Sequence, residues 1–196
     1  MNDIDTLVKQ LHHPVTTKNM AALEAAAMAL GRQGEQALPA IQGLFTSAEV
    51  DVRFWAVRAL WANGGQAAIT LLIETLSDED EMVRSGAALA LGELKAEAAI
   101  PALTRLMTSG ADSAGDHAAD ALSKMGLPAA PVLITALGES QAQVRIRAAK
   151  ALVPVESQAA IKALIDCLDN DPSYLVRHYA DIALKRMGVG EMVYFR

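Results

Sequence analysis

A short pattern of apolar residues recurs along this chain every 30 to 32 residues. Its anchor is a leucine, and alanine stands one and four positions before that leucine in every copy. The six anchors are Leu30, Leu60, Leu91, Leu122, Leu152 and Leu184. Valine or alanine also stands eight positions before each anchor, so offsets −8, −4, −1 and 0 form one stripe on a helix. We therefore predict one buried helical face per copy, with alanine where helices approach closely.

A second apolar segment separates successive copies, so each unit is predicted to be a pair of helices. Glycine stands four residues after the anchor in four copies, where a left-handed residue ends a helix, whereas Lys95 and Glu156 take this place in the other two. The predicted units are approximately 1–34, 35–64, 65–95, 96–126, 127–157 and 158–188. The apolar tail 189–196 is expected to cap the last unit, with dimerisation as the alternative. Because each unit buries its face on its neighbours, the whole chain 1–196 is predicted to be a single all-α solenoid.

Four copies carry an arginine at offset −7, and a small or acidic residue stands six positions before each of these arginines. The pairs are Ser47 and Arg53, Asp78 and Arg84, Glu139 and Arg145, and Asp171 and Arg177. We predict that the earlier side chain accepts hydrogen bonds from backbone amides of the next helix and from the arginine. The fourth copy has Ser109 and Gly115 at these places. These arginines are therefore interpreted as structural.

Composition narrows the function classes for this chain of 196 residues. A net charge of −6 argues against general attraction to nucleic acid, which requires a basic surface. The single cysteine, Cys167, excludes a disulfide framework and a multi-cysteine metal site, and its apolar surroundings predict a packed thiol. The acidic start has no apolar run of a signal peptide, and no stretch reaches the roughly 18 apolar residues of a membrane helix. We expect a cytoplasmic protein without a membrane partner.

The search for catalytic, metal or cofactor chemistry yields one weak cluster, in the fourth copy. Asp116, His117 and Asp120 share about one helical turn, but no second histidine accompanies them, which makes a poor metal or acid–base site. There is no His-Glu dipeptide, no glycine-rich phosphate loop and no nucleophile elbow. The sequence therefore predicts no catalytic residue and no bound cofactor.

The stretches 78–92 and 98–103, and again 143–152, resemble HEAT repeats of the short, about 31-residue kind found in phycobilisome lyases. The resemblance covers nearly the whole chain. It implies a right-handed α-α superhelix in which the helices carrying the Val-Arg pair line the concave surface. It also implies a function mainly in protein–protein contacts, because only some members handle bilin chromophores.

Helical geometry places offsets −6, −2 and +1 opposite the buried stripe and offset −5 on its flank. In the second unit these are Phe54, Arg58 and Trp61, with Trp55 on the flank. Tryptophan and arginine are favoured at binding hot spots, and an arginine beside aromatic rings adds cation–π attraction. The predicted partner-binding residues are Phe54, Trp55, Arg58, Trp61, Leu89, Asp120, Arg147, Lys150, His178 and Tyr179. Packing of these aromatic side chains on an adjacent helix is the alternative.

Three functions are compatible with these features. The first is a non-catalytic scaffold that binds a protein or peptide on the concave surface, including an acidic segment near Arg147, Lys150, Lys185 and Arg186. The second is a bilin-lyase-like protein in which Arg58, Trp61 and Tyr179 contact a tetrapyrrole. The third is a DNA-repair glycosylase on a HEAT-like scaffold, which the net negative charge and the short repeats disfavour.

Overall fold

The structure is a computed structural model that describes residues 3–109 and 113–189. Within these ranges the chain forms twelve α helices and no strand. It divides into two compact units, Met1–Ala99 and Ile100–Arg196. Each unit contains three of the predicted helix pairs, and the assignment of the whole chain to one domain stays a prediction.

The helices of the first unit are α1 (Ile4–Leu11), α2 (Met20–Gly31), α3 (Leu38–Leu44), α4 (Val50–Asn63), α5 (Gln66–Thr75) and α6 (Glu81–Glu93). Those of the second are α7 (Ile100–Ser109), α8 (Ser113–Met125), α9 (Ala130–Ala136), α10 (Ala142–Leu152), α11 (Ile161–Asn170) and α12 (Tyr174–Arg186). The even-numbered helices carry the anchors and pack side by side, α2 on α4 and α4 on α6 in the first unit. In the second unit α8 packs on α10 and α10 on α12. No helix in the described ranges is long and apolar enough to cross a bilayer.

The predicted stripe is the core of both units. All six anchor leucines are at most 1% exposed, and the alanines four positions before them are at most 4% exposed. The first copy departs from the prediction, because Ala22 is exposed and Ala29 is half-buried. These two alanines line an open groove of about 580 Å³ between α1 and α2. In the five later copies the residues at these offsets, −8 and −1, are buried.

Each anchor leucine is followed, four positions later, by a residue with positive φ. The four predicted glycines have φ between 64° and 76°: Gly34, Gly64, Gly126 and Gly188. Lys95 and Glu156, which break the glycine pattern, nevertheless adopt the same conformation with φ of 49° and 51°. The chain reversal is therefore imposed by packing even where the residue type disfavours it.

Two of the arginines at offset −7, Arg53 and Arg145, connect consecutive helix pairs, but by different contacts from those predicted. Arg53 Nη1 donates to the backbone carbonyl of Ser47 at 3.0 Å, not to its side chain. Arg53 Nε and Nη2 donate to the carboxylate of Asp78, in the next repeat, at 2.9 and 3.0 Å. Asp78 also accepts from the backbone amide of Asp80 at 2.9 Å. One carboxylate therefore binds both the guanidinium of the preceding repeat and an amide of its own turn.

The second unit repeats this arrangement. Arg145 Nη1 donates to the carbonyl of Glu139 at 2.9 Å, and its Nε and Nη2 donate to Asp171 at 2.7 and 3.1 Å. Asp171 also accepts from the amide of Ser173 at 2.8 Å. The side chains of Asp78 and Asp171 therefore accept hydrogen bonds from the arginine of the preceding repeat. Their backbone carbonyls accept from the arginine six residues later.

The fourth repeat has no arginine at offset −7, and Arg147 of the fifth repeat fills the vacant place. A Cβ on Gly115 would lie 2.5 Å from Arg147 Nη1 and 2.6 Å from Cζ. Arg147 Nε donates to Asp116 at 2.7 Å, and its Nη1 donates to the carbonyl of Met107 at 3.0 Å. The divergence of the fourth repeat is therefore compensated by its neighbour.

Candidate functional site

A groove of about 440 Å³ lies between α4 and α6 in the first unit. Its lining includes four of the residues that the sequence singled out: Phe54, Arg58, Trp61 and Leu89. The groove combines apolar walls with a charged group at its rim, which is typical of a site that binds an apolar side chain and fixes its orientation.

Close packing holds the aromatic walls in position. Gly86 permits the approach of Phe54, because a Cβ on this glycine would lie 3.2 Å from the phenyl ring. The Phe54 ring also contacts Trp55 edge-on, with centroids 5.5 Å apart. Phe54 is thus partly packed and partly available, which combines the two alternatives that the sequence left open.

Arg58 connects the groove to the neighbouring helix α2. Its Cζ lies 4.3 Å from the centroid of the Trp61 ring, so the guanidinium and the indole form a cation–π pair. Its Nε also donates to both carboxylate oxygens of Glu24 at 3.1 Å. These two contacts hold the Arg58 side chain between Glu24 and the Trp61 ring.

Two predicted binding residues are buried, and their assignment to the surface is wrong. Trp55 is 5% exposed and Arg147 is 2% exposed. Both stand at offset −5, which turns toward the preceding repeat rather than toward solvent, as the contact of Arg147 with Gly115 demonstrates. The indole and the guanidinium are therefore parts of repeat packing.

The predicted basic surface of the second unit is largely neutralised by ion pairs. Lys150 Nζ lies 3.3 Å from Asp120, and both side chains are about half exposed. The other pairs are Arg147 with Asp116, Lys185 with Asp181, and Arg186 with Glu156. The exposed pairs of Lys150, Lys185 and Arg186 contribute only about 0–1 kcal/mol each to stability, and the four pairs together leave little net positive charge for an acidic segment.

His178 and Tyr179 belong to an aromatic cluster on α12, in the second unit. The His178 ring stacks on Tyr174 with centroids 5.9 Å apart and contacts Tyr179 at 5.5 Å. Tyr174 is 69% exposed, and Leu175 beside it is 45% exposed.

The weak metal candidate does not assemble. Asp116 is engaged by Arg147 and Asp120 by Lys150. No group of three histidine, cysteine, aspartate or glutamate side chains in residues 3–109 and 113–189 has the geometry of a metal site. The acidic residues of the fourth repeat therefore serve repeat contacts.

Cys167 borders a shallow groove of about 640 Å³ together with Arg145 and Asp171. The thiol is half-buried, as expected for a packed side chain in an apolar helix. Burial raises its pKa, and the nearby Asp171 carboxylate adds to the increase. A thiol that resists ionisation is a weak nucleophile, so the groove offers no activated cysteine.

A model of HEAT repeats matches residues 37–123 and 116–185, two overlapping stretches that span most of the chain. The chain belongs to the HEAT-repeat family. No curated protein sequence matches it.

Solved structures extend the likeness at the level of the fold. The complex of CpcE and CpcF of phycocyanin lyase from Nostoc sp. PCC7120 matches with a TM-score of 0.55 and 23% identity, over 96% of this chain and 78% of that one. A designed armadillo repeat protein in complex with the peptide (KR)4 matches with a TM-score of 0.54 and 17% identity, over 95% and 100%. Kap121p matches with a TM-score of 0.57 and 18% identity, and this chain covers 25% of it. These likenesses confirm the all-α solenoid fold.

Sequence reasoning missed the HEAT-repeat residues that form the floor and far rim of the groove. Val57, Ala90 and Glu93 complete the lining, together with Gly86. A signal for this was present, because Gly86 stands at offset −5, directly opposite the large Phe54 of the preceding repeat. A large side chain opposite a glycine on the neighbouring helix indicates where a groove lies between the two helices.

Proposed function

We propose that this protein is a non-catalytic scaffold that binds a partner polypeptide on the surface of its even-numbered helices, with the α4–α6 groove as the main contact. The observation that supports this most is the alignment of Phe54, Trp61 and Leu89 around one cavity with Arg58 fixed at the rim. Aromatic anchors beside an arginine, held rigid before binding, are typical of interaction hot spots.

The partner that fits this groove presents an apolar side chain with a polar group next to it. The walls are apolar, while Arg58 and Glu93 supply opposite charges at the lining. Solved relatives offer a parallel: one neighbour is a complex of two chains, and another holds a peptide. We propose the same general use of the repeat surface here.

The decisive experiment is affinity purification from the native host with quantification of each co-eluting protein. Leu89→Glu introduces a charge into the groove at a side chain that is 38% exposed, so folding is little affected. Leu127→Glu is the matched control, because Leu127 is an exposed leucine, at 63%, outside the groove. We expect a partner that is lost with Leu89→Glu and with Phe54→Ala/Trp61→Ala but is retained with Leu127→Glu.

Retention of every partner by both groove variants would contradict the proposal. The purified protein is also mixed with a bilin and with damaged duplex DNA. A visible absorbance change that Trp61→Ala abolishes would favour chromophore handling over scaffolding, and a gel shift of the duplex would favour the glycosylase alternative.

A further inference from the structure

The four arginines at offset −7 share one hydrogen bond. In each of them Nη1 donates to the backbone carbonyl six residues earlier, at 2.6 to 3.0 Å: Arg53 to Ser47, Arg84 to Asp78, Arg145 to Glu139 and Arg177 to Asp171. Because this bond uses Nη1, the opposite edge of the guanidinium, with Nε and Nη2, can take a second acceptor. In Arg53 and Arg145 this edge holds the aspartate of the next repeat.

Arg177, in the last repeat, has the same anchored Nη1 but no aspartate at its other edge. Its Nη1 donates to the carbonyl of Asp171 at 2.6 Å. Within residues 3–109 and 113–189, Nε and Nη2 of Arg177 make no hydrogen bond or ion pair. Two planar donors in a fixed fork match a carboxylate bidentately, so the edge is prepared for that group.

The surroundings of Arg177 correspond to a face that other repeats bury. Phe54, at offset −6 on α4, contacts Gly86 of the following repeat. His178 occupies offset −6 on α12 and stacks on Tyr174, and both side chains are exposed. Arg177 and His178 therefore occupy the positions of α12 that correspond to Arg53 and Phe54 of α4, which contact the following repeat.

We propose that the Arg177 edge and the Tyr174–His178 pair form a docking site for another polypeptide, whose contact is an aspartate in the turn that starts a helix. The two internal copies define this ligand, because Asp78 and Asp171 each accept from an arginine fork and from the amide two residues later. The first repeat of this chain has Thr17, not an aspartate, at the corresponding place, thirteen residues before the anchor Leu30.

The test uses the full chain labelled with ¹⁵N-arginine, and it follows the Nε–Hε signals by NMR. The probe is a synthetic peptide of residues 76–93, which carries Asp78 and its helix. We expect a saturable shift of the Arg177 signal with a Kd below about 1 mM, and no shift of the Arg53 and Arg145 signals. The same peptide with Asp78→Asn should bind at least about tenfold more weakly, because it lacks the charged acceptor.

Variants of the protein distinguish the planar geometry of the Arg177 guanidinium from its positive charge. Arg177→Lys keeps the positive charge but removes the planar fork, so we expect it to weaken peptide binding about as much as Arg177→Gln does. Arg186→Lys is the matched control on the same helix, and it should leave binding unchanged. Because the Asp78→Asn peptide leaves the protein intact, the test does not depend on the stability of the Arg177 variants.

Four outcomes would overturn the proposal. They are no shift of the Arg177 signal, an equal shift with acetate alone, binding that Arg177→Lys preserves, and sedimentation showing self-association that Arg177→Gln abolishes. The last outcome would make a second copy the occupant. None of these results bears on the α4–α6 groove, so the failure of one site is distinguishable from the failure of the other.

Discussion

Replacement of Gly115 by alanine should destabilise this protein, although glycine is normally unfavourable in a helix. Gly115 lies in α8, where the exchange alone should stabilise the helix by up to about 1 kcal/mol. The added methyl group, however, would lie 2.5 Å from Arg147 Nη1 and 2.9 Å from Nη2. The guanidinium must move by about 1 Å to restore van der Waals contact at about 3.5–4.0 Å.

This movement disturbs the hydrogen bonds of Arg147 to Asp116 and to the Met107 carbonyl, at 2.7 and 3.0 Å. A hydrogen bond to a charged group contributes about 1.5–3 kcal/mol. The loss of one or both, offset by the gain in helix propensity, gives a net destabilisation of about 1–4 kcal/mol. Gly43→Ala is the matched control, because a Cβ on Gly43 in α3 meets nothing within 4 Å. That exchange should be neutral or stabilising, by up to about 1 kcal/mol.

Urea unfolding of the two variants and of Arg147→Met measures these effects as free energies of unfolding. The double variant Gly115→Ala/Arg147→Met should lose clearly less stability than the sum of the single changes, because the methyl group then has no guanidinium to displace. If Gly115→Ala is as harmless as Gly43→Ala, or if the two changes are additive, then Arg147 does not occupy the place described.

Three further predictions concern single side chains. Lys95→Gly should raise the free energy of unfolding by about 1 kcal/mol because φ is 49° at this residue, whereas the control Lys162→Gly in α11 should lower it by a similar amount. Burial tends to raise the pKa of Asp171, but hydrogen bonds from Arg145 and from the Ser173 amide, together with the charges of Arg145 and Arg177, outweigh it and the pKa is lowered. The contribution of Asp171 to stability is therefore present above about pH 4 and disappears as the pH falls through its folded pKa, and Asp171→Asn should flatten urea midpoints between about pH 5 and pH 2. Cys167, whose pKa is raised by burial, should react with a thiol reagent along a pH profile shifted upward from that of the urea-unfolded chain.

The repeat positions were predictable because they depend on helical geometry within one repeat. The buried alanines and the left-handed helix ends follow from spacing alone, and the structure extends the latter to Lys95 and Glu156. The exposure of Ala22 does not follow from the pattern. The spacing of a repeat shows which residues share one face of a helix, whereas the burial of that face depends on the helices packed against it.

Contacts between repeats were the less predictable part. The acidic residues at offset −13 were recognised, but each was assigned to its own arginine rather than to that of the preceding repeat. Trp55 and Arg147 were placed on the surface because a helical wheel of one helix contains no information on its two neighbours. Phe54, Trp61 and Leu89 line the α4–α6 groove, and their role in partner binding stays a prediction.

The dependence of Arg147 on Gly115 limits how the hairpins of this protein can be recombined. The ion pair of Arg53 with Asp78 is of the same type as that of Arg145 with Asp171. The hairpins that these pairs connect could therefore be exchanged without loss of this contact. The fourth hairpin is different, because its Gly115 leaves room for the guanidinium of Arg147, which belongs to the fifth hairpin. A transplanted fourth hairpin with its own arginine at position 115 would place two guanidinium groups in one confined space, so hairpins four and five must be exchanged together.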